Sequence, residues 1–291
     1  PSPYQYTTLG ALHYSQVRPG KYRRQGVELF PCDSEKTPPS PPPPPGMATP
    51  AGDDAAAFQR LYPDQHYDRF LESGVRPDGR VAGMSREVTI GLGAVSSAAS
   101  SALVKVGPTI VMAGIKLGVM KPSDEDPEAG ALELSVEMTP MSSPEARPGR
   151  PPEAAHAIGH QLHSLLLSSG ALDLKELCIR KAAAAWAVSC DIYVLNADGG
   201  LLDAALIAAV SALAGLQLPE VAVTKDGAVV PPLTVRAGEG EVLPAQQLQL
   251  RSTPLALTCG LRKGQLIADP SSEEEQLMEC TITVALDAQG N

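Results

Sequence analysis

Residues 190–213 constrain the fold more than any other part of this sequence. The first part, residues 192–195, is apolar on both alternating faces, which is typical of a strand buried between two layers. Residues 196–200 read Asn-Ala-Asp-Gly-Gly, a turn composition in which the glycines tolerate positive φ and leave the backbone open to close approach. The remainder predicts a helix that buries one face, because apolar side chains recur three or four residues apart. Those side chains are Leu202, Leu206, Val210 and Leu213.

A glycine turn that opens a helix exposes free backbone amides, and such amides can bind a phosphate group. Whether this turn binds phosphate is therefore the main functional question that the sequence poses. No Gly-x-Ser-x-Gly, Walker-A or Gly-x-Gly-x-x-Gly pattern is present, so the sequence supports no hydrolase, NTPase or dinucleotide-binding function and predicts no cofactor.

The charge balance argues against a chain that binds nucleic acid by itself. The 291 residues carry a formal net charge of −10, whereas phosphate neutralisation requires clustered Lys and Arg. A local basic strip inside a larger assembly remains compatible with this balance. The longest apolar run, residues 201–216, contains Asp203 and is shorter than the roughly 20 residues of a bilayer span, so we expect no membrane partner.

Metal binding is not favoured by the sequence. The five cysteines are scattered without zinc-ligand spacing and predict buried free thiols in a reducing compartment. His156, His160 and His163 share a predicted helix face, but no Glu or Cys stands beside them, so we expect an exposed or interface histidine face. The acidic run at residues 272–275, with Asp269 and Glu279, could place carboxylates near a metal, although a solvated acidic loop is the simpler interpretation.

The sequence divides into an extension and a domain. Residues 1–54 form a Pro-rich segment that we expect to be disordered, with five consecutive prolines before Gly46. Met47 follows, and we hypothesise that it is the native start and that the residues before it are translated upstream sequence. Residues 55–291 begin with a helical pattern over 55–71 and continue as strands, helix, strand, helix and strands. The first helix of this series is predicted over 153–168, and a short strand is predicted over 221–224. This order predicts an α+β fold of packed mixed β-sheets with helices.

Several separated motifs resemble the ribonuclease PH family. They are Arg-Pro-Asp-Gly-Arg at 76–80, Ser-Ala-Leu-Val-Lys-Val-Gly at 101–107, Cys-Asp-Ile-Tyr-Val-Leu-Asn-Ala-Asp-Gly-Gly at 190–200, Leu-Pro-Glu-Val at 218–221 and Ile-Ala-Asp-Pro-Ser-Ser-Glu-Glu-Glu at 267–275. The last two, with Leu-Cys-Ile at 177–179, look most like eukaryotic exosome ring subunits of the ribosomal RNA processing protein 43 type, with the 42 type as the nearest alternative. The resemblance covers residues 67–291. It implies a ribonuclease PH-like fold, of the ribosomal protein S5 domain 2-like kind, whose C-terminal helix we expect to be absent here.

The resemblance also implies a lost activity. Active members shorten RNA from the 3′ end with inorganic phosphate, and a Gly-Thr/Ser-Arg sequence after the central turn grips the phosphate. Here the matching residues are Gly200, Leu201 and Leu202, which supply no cation. A second family arginine is matched only weakly, by Arg150 before two prolines. We therefore expect no catalytic residue and no metal in this chain, although Asp198 of the turn is retained.

Without catalysis, the resemblance implies a structural role. The expected partners are homologous subunits in a hetero-hexameric ring, cap proteins with RNA-binding domains, and RNA indirectly through the channel, in nucleus, nucleolus and cytoplasm. Arg76, Arg80 and Lys105 are candidate RNA or partner contacts. The alternative is an active phosphorolytic 3′–5′ exoribonuclease, alone or with a neighbour that supplies the missing arginine.

Overall fold

The computed structural model describes residues 6–9, 52–124, 126–142, 152–224, 229–230 and 240–287. The chain forms two compact units, one of residues 11–84 and one that combines residues 1–10 with 85–291. The predicted boundary between an extension over 1–54 and a domain over 55–291 stays a prediction.

Among its described residues, 52–84, the smaller unit contains two short helices where the sequence pattern predicted one. Helix α1 spans Gly52–Leu61 and α2 spans Pro63–Glu72. The interruption falls at Tyr62, whose backbone leaves the helical region (φ −135°, ψ 60°) because a proline follows it. The Phe58 ring lies 5.6 Å from the Tyr62 ring, centroid to centroid, and the Arg69 guanidinium lies 4.8 Å from the Phe58 centroid.

The larger unit is built on one seven-stranded sheet. Its order is β1-β2-β3-β4-β7-β5, with β6 paired to β7 beyond this path. Only β5 and β7 run parallel, and every other pair is antiparallel. The strands are β1 Tyr6–Leu9, β2 Val88–Leu92, β3 Ser100–Val106, β4 Thr109–Met120, β5 Ala131–Met138, β6 Cys178–Arg180 and β7 Ala184–Asn196. A parallel neighbour requires a long crossover, and helix α3 (Glu153–Ser168) lies in the connection from β5 to β7.

Helix α4 (Leu201–Ala214) is the centre of this unit. It packs on β3 and β4, and it is buried almost all round rather than on the single face that the spacing predicted. Small residues such as Ala204, Ala208 and Ala212 allow this close approach, since each is fully buried. The strand before it is less buried than predicted: Ile192 and Val194 are fully buried, whereas Leu195 is 42% exposed on the other face of the sheet.

The C-terminal half adds three small sheets. Strands β8 Gln217–Leu218 and β12 Gln246–Gln247 form one, and β9 Val221–Thr224 lies between β10 Val229–Val230 and β11 Gly240–Leu243 in another. The third has the order β14-β13-β15, from Gln265–Ala268, Leu255–Arg262 and Cys280–Leu286, with helix α5 (Ser272–Glu275) between β14 and β15. Helix α4 also packs on β13, so one helix joins both halves. The predicted α+β architecture of mixed sheets and helices is confirmed.

The third sheet has an exposed apolar face. Leu255 pairs with Leu286, Leu257 with Val284 and Cys259 with Ile282, so these side chains share one face. Five of them are 42–54% exposed. Cys280, on the same strand as Ile282, is also exposed, so the prediction that the thiols are buried is wrong there. Cys190 in β7 is buried, which raises the pKa of its thiol to about 12. No helix in the described residues is long and apolar enough to cross a membrane.

The packing of Gly130 gives a test of this fold. A Cβ on Gly130 would lie 2.5 Å from the Leu177 Cβ and 2.5 Å from the Trp186 carbonyl oxygen. We expect Gly130→Ala to lower the free energy of unfolding by about 1–3 kcal/mol, because backbone on one side cannot yield. Gly118→Ala is the matched control, since its Cβ would meet Ala187 at an ordinary 3.8 Å. Urea unfolding of both variants would contradict this packing if they were equally stable.

Candidate functional site

The glycine turn after β7 adopts the left-handed backbone that its sequence predicted. Gly199 has φ +70° and Gly200 has φ +60°, and Gly200 is the N-cap of α4. A Cβ on Gly199 would lie 2.4 Å from the Pro270 carbonyl oxygen. The turn therefore lies directly against the segment that leads from β14 into α5.

A buried arginine, Arg86, holds this turn in place. Its Nε and Nη2 donate to the two carboxylate oxygens of Asp269 at 2.9 and 2.6 Å, and its backbone N–H donates to Asp269 Oδ2 at 2.7 Å. The guanidinium also donates to the carbonyl oxygens of Asp198 and Gly199, the latter at 3.1 Å. The two side chains are only 6% and 4% exposed. This bidentate ion pair thus fixes the turn to residues from both ends of the unit.

Thr109, the first residue of β4, completes the support. Its Oγ1 donates to the Gly199 carbonyl at 2.9 Å and accepts from the Asp198 backbone N–H at 3.1 Å. Arg86 Nη1 approaches the same hydroxyl at 3.3 Å. The Asp198 N–H and the carbonyl oxygens of Asp198 and Gly199 are therefore all hydrogen-bonded within the chain itself.

The acidic run at residues 272–275 is part of this site, and its interpretation as a solvated loop is wrong. It forms α5, because the Ser271 and Glu274 side chains make a capping box at its start. Glu275 Oε1 accepts from the Gly200 backbone N–H at 2.9 Å, and Asp198 Oδ1 accepts from the Ser272 N–H at 3.3 Å. A carboxylate of the chain itself therefore occupies one amide at the start of α4.

A cleft of about 660 Å³ opens above this turn. The residues that line the cleft come from α3, from the first turn of α4 and from β15. Thr258 of β13 and Glu275 of α5 complete the lining. None of the described lining residues is Lys or Arg. The two leucines that replace the expected cation, Leu201 and Leu202, both line the cleft and are half-buried. The sequence prediction thus placed these two residues at a real concavity.

The charges around the cleft are predominantly negative. Burial raises the pKa of Glu275 and of Asp203, and neighbouring carboxylates add to both shifts, although Arg86 opposes them. The Asp203 carboxylate accepts from the Thr258 N–H at 2.6 Å and from its hydroxyl at 2.9 Å. Four carboxylates, on Asp198, Asp203, Asp269 and Glu275, thus surround one guanidinium. An incoming anion meets an excess of negative charge here.

The remaining predicted residues have different outcomes. Arg150 lies outside the described residues. In the smaller unit, Arg76 is buried and Arg80 pairs through Nε with Asp78 Oδ2 at 2.6 Å, while Lys105 is exposed on β3. Of the three histidines of α3, His160 lines the cleft. Within the parts of the chain that the structure describes, no group of three His, Cys, Asp or Glu could hold a metal ion.

The sequence did not single out Arg86, and it pointed to Asp269 only as a carboxylate that could lie near a metal, not as the partner of Arg86. They are 183 positions apart and belong to no local pattern. Asp269 does lie in the motif at 267–275 that carries the family resemblance. The structure also places Asp269 at a positive φ of 49°, a backbone conformation that Asp tolerates better than most residues.

Comparison with known proteins agrees with this geometry. Residues 84–219 match the first domain of the 3′ exoribonuclease family (RNase PH) and residues 252–291 match its second domain. The chain belongs to this family. It is 32% identical over 77% of its length to the exosome complex component Rrp42 of Aeropyrum pernix, covering 78% of that protein. It is 30% identical over 80% of its length to the exosome complex component rrp43 of Schizosaccharomyces pombe, covering 84% of it.

A solved structure extends the comparison to the site. The larger part of the chain superposes on an Archaeoglobus fulgidus exosome structure that has RNA bound to the active site, with a TM-score of 0.66 and 30% identity. The match covers 78% of this chain and 82% of that one. The resemblance to exosome subunits of the 42 and 43 types is thereby confirmed.

Breaking the Arg86–Asp269 pair should be costly. Arg86→Met leaves a buried carboxylate without its cation, so we expect a loss of about 3–5 kcal/mol in the free energy of unfolding. Asp269→Asn in the same chain should recover part of that loss, with a coupling energy of about 1–3 kcal/mol in a double-mutant cycle. The exposed Lys181–Glu128 pair, 2.7 Å apart, is the control and should couple weakly. Additive losses at Arg86 and Asp269 would contradict the pairing.

The Asp203 carboxyl should contribute a stability term that decreases with pH. Because its pKa is raised in the folded state, the folded chain binds this proton more tightly than the unfolded chain above about pH 4. We therefore expect the stability of the wild type relative to Asp203→Asn to fall as pH rises from about 4 to 7. Asp191 is the control, because Lys116 lowers its pKa: the advantage of the wild type over Asp191→Asn should grow as pH rises toward about 4 and stay level from there to pH 7. Parallel pH profiles for the two variants would rule out the proposed cause.

Proposed function

We propose that this chain is a non-catalytic structural subunit of an RNA exosome ring. The observation that carries the proposal is the cleft at Gly200, where Leu201 and Leu202 stand in place of a phosphate-binding hydroxyl and arginine. Relatives named as exosome complex components support the ring assignment. The lack of activity rests on the physical argument that follows.

Phosphorolysis requires a bound phosphate dianion beside the RNA 3′ end. Cations and free amides must balance that charge, and each charge-assisted hydrogen bond contributes roughly 1.5–3 kcal/mol. Here the described lining supplies no cation, and Glu275 already accepts from the Gly200 amide. Arg86, the nearby guanidinium, is engaged by Asp269 and by two carbonyl oxygens. A dianion would enter an apolar, negatively charged cleft, which is unfavourable.

We propose the remaining parts of the role from the same relationship. The neighbours are homologous ribonuclease PH-like subunits in a hetero-hexameric ring that supports cap proteins with RNA-binding domains, in nucleus, nucleolus and cytoplasm. RNA reaches the chain indirectly through the channel. Arg76, Arg80 and Lys105 are proposed contacts with RNA or partners, and the exposed position of Lys105 on β3 favours it among the three.

Product analysis distinguishes this role from the alternative, an active phosphorolytic exoribonuclease. Purified chain, alone and assembled with its ring partners, is incubated with inorganic phosphate and 3′-labelled RNA, and an active archaeal relative serves as the positive control. We expect no nucleoside diphosphate above the level of a protein-free blank, because the attacking phosphate is not bound.

A carboxylate variant makes this test specific. If the assembly releases nucleoside diphosphates, the Asp198→Ala and Asp191→Ala chains are compared within it. Release that survives in both belongs to another subunit and agrees with our proposal. Release that is lost with Asp198→Ala and kept with Asp191→Ala would establish activity in this cleft and overturn the structural role.

A further inference from the structure

The walls of the cleft combine apolar surface with hydroxyl groups. Leu201 and Leu202 of α4 form an apolar wall, and Leu165 of α3 contributes to another. Thr281 and Thr283 of β15 also line the cleft, and the Thr283 hydroxyl lies 2.9 Å from that of Thr258. A ligand that fits needs an aliphatic part for the first walls and donors for the hydroxyl side.

The charge of the cleft determines which sign of charge a ligand should carry. Glu275 is the only carboxylate among the described lining residues, and one of its oxygens accepts from the Gly200 N–H. Asp198 and Asp203 lie close behind it, and Arg86 is already bound by Asp269. Since no described lining residue is Lys or Arg, a cation is the charge that this cleft lacks.

The volume of the cleft limits the kind of ligand further. A cleft of about 660 Å³ is within the range of roughly 300–1,000 Å³ found for small-ligand sites. Lysine and arginine side chains carry an aliphatic stem of three or four methylenes and a cationic end, so one residue meets both requirements. A phosphate ion has no apolar part, and a purely aliphatic side chain carries no positive charge to balance that of Glu275.

We propose that this cleft binds a lysine or arginine side chain presented by a partner polypeptide. The stem packs on Leu201 and Leu202, and the cationic end donates to Glu275. The inference takes from the proposed function only that phosphate does not occupy the cleft. It turns a lost catalytic site into a docking site for a basic residue of another protein.

Methyl NMR on the full chain tests the proposal with single-residue probes. The probes are the N-acetyl methylamides of lysine, arginine and norleucine, and norleucine provides the aliphatic stem without charge. We expect saturable shifts of the Leu201 and Leu202 methyl groups with the two basic probes. Norleucine should bind at least about tenfold more weakly, because it cannot donate a charged hydrogen bond to Glu275. Equal binding of all three probes, or no saturable shift with any, would overturn the proposal.

Two variants and one control locate the binding. Glu275→Gln keeps an acceptor for the Gly200 N–H but removes the charge, so it should weaken lysine binding at least about tenfold. Leu202→Lys places a cation in the cleft and should abolish binding even if the first variant were destabilised. Glu220→Gln removes an exposed carboxylate elsewhere and should change nothing. Unchanged binding in Glu275→Gln or in Leu202→Lys would contradict the assignment.

Inorganic phosphate is titrated into the same labelled sample. Saturable phosphate shifts at Leu201 would contradict the proposed non-catalytic role, whatever the basic probes do. Absence of shifts with both phosphate and the basic probes would leave that role intact and overturn only the docking proposal.

Discussion

The ion pair between Arg86 and Asp269 is the interaction on which the rest of the larger unit depends. It joins Arg86, two residues before β2, to Asp269 directly after β14, and it holds the Asp198–Gly200 turn by two carbonyl oxygens. Because that turn starts α4, the pair also sets where the central helix begins. A buried pair of this kind contributes little net stability over an apolar packing, but its loss leaves an uncompensated charge. The role of the pair in this fold is to position the Asp198–Gly200 turn.

The same pair accounts for the electrostatics of the cleft. Arg86 is the one described guanidinium beside Gly200, and Asp269 and two carbonyl oxygens already bind it. The negative charges of Glu275 and Asp203 are therefore only partly balanced, and burial raises the pKa of both carboxyl groups. A cleft in this state disfavours a phosphate dianion and favours a cation. The fold of the RNase PH family is thus retained, and the cleft that it builds is lined by two leucines and by no described Lys or Arg.

Local patterns predicted much of this fold, and long-range pairing accounts for what they missed. Helix α3 and strand β9 were predicted with their observed bounds, because apolar periodicity and turn residues mark both ends. Burial of α4 on nearly all sides could not be read from its spacing, since it depends on sheets from both halves meeting the same helix. The site was half predicted: Gly200, Leu201 and Leu202 follow from one motif, whereas Arg86 is joined to Asp269 across 183 residues. The acidic run at 272–275 looked like a surface loop because nothing local reveals that Glu275 meets a helix amide.

The proposed function depends on the claim that the start of α4 does not bind an oxyanion. A crystal of the chain soaked in tungstate, whose metal atom is located by its anomalous scattering, tests that claim directly. The account predicts no anomalous peak beside Gly200 and Leu201, because Glu275 and the two leucines exclude the anion. An ordered tungstate hydrogen-bonded to the backbone at those residues, with Asp198 and Glu275 beside it, would contradict it.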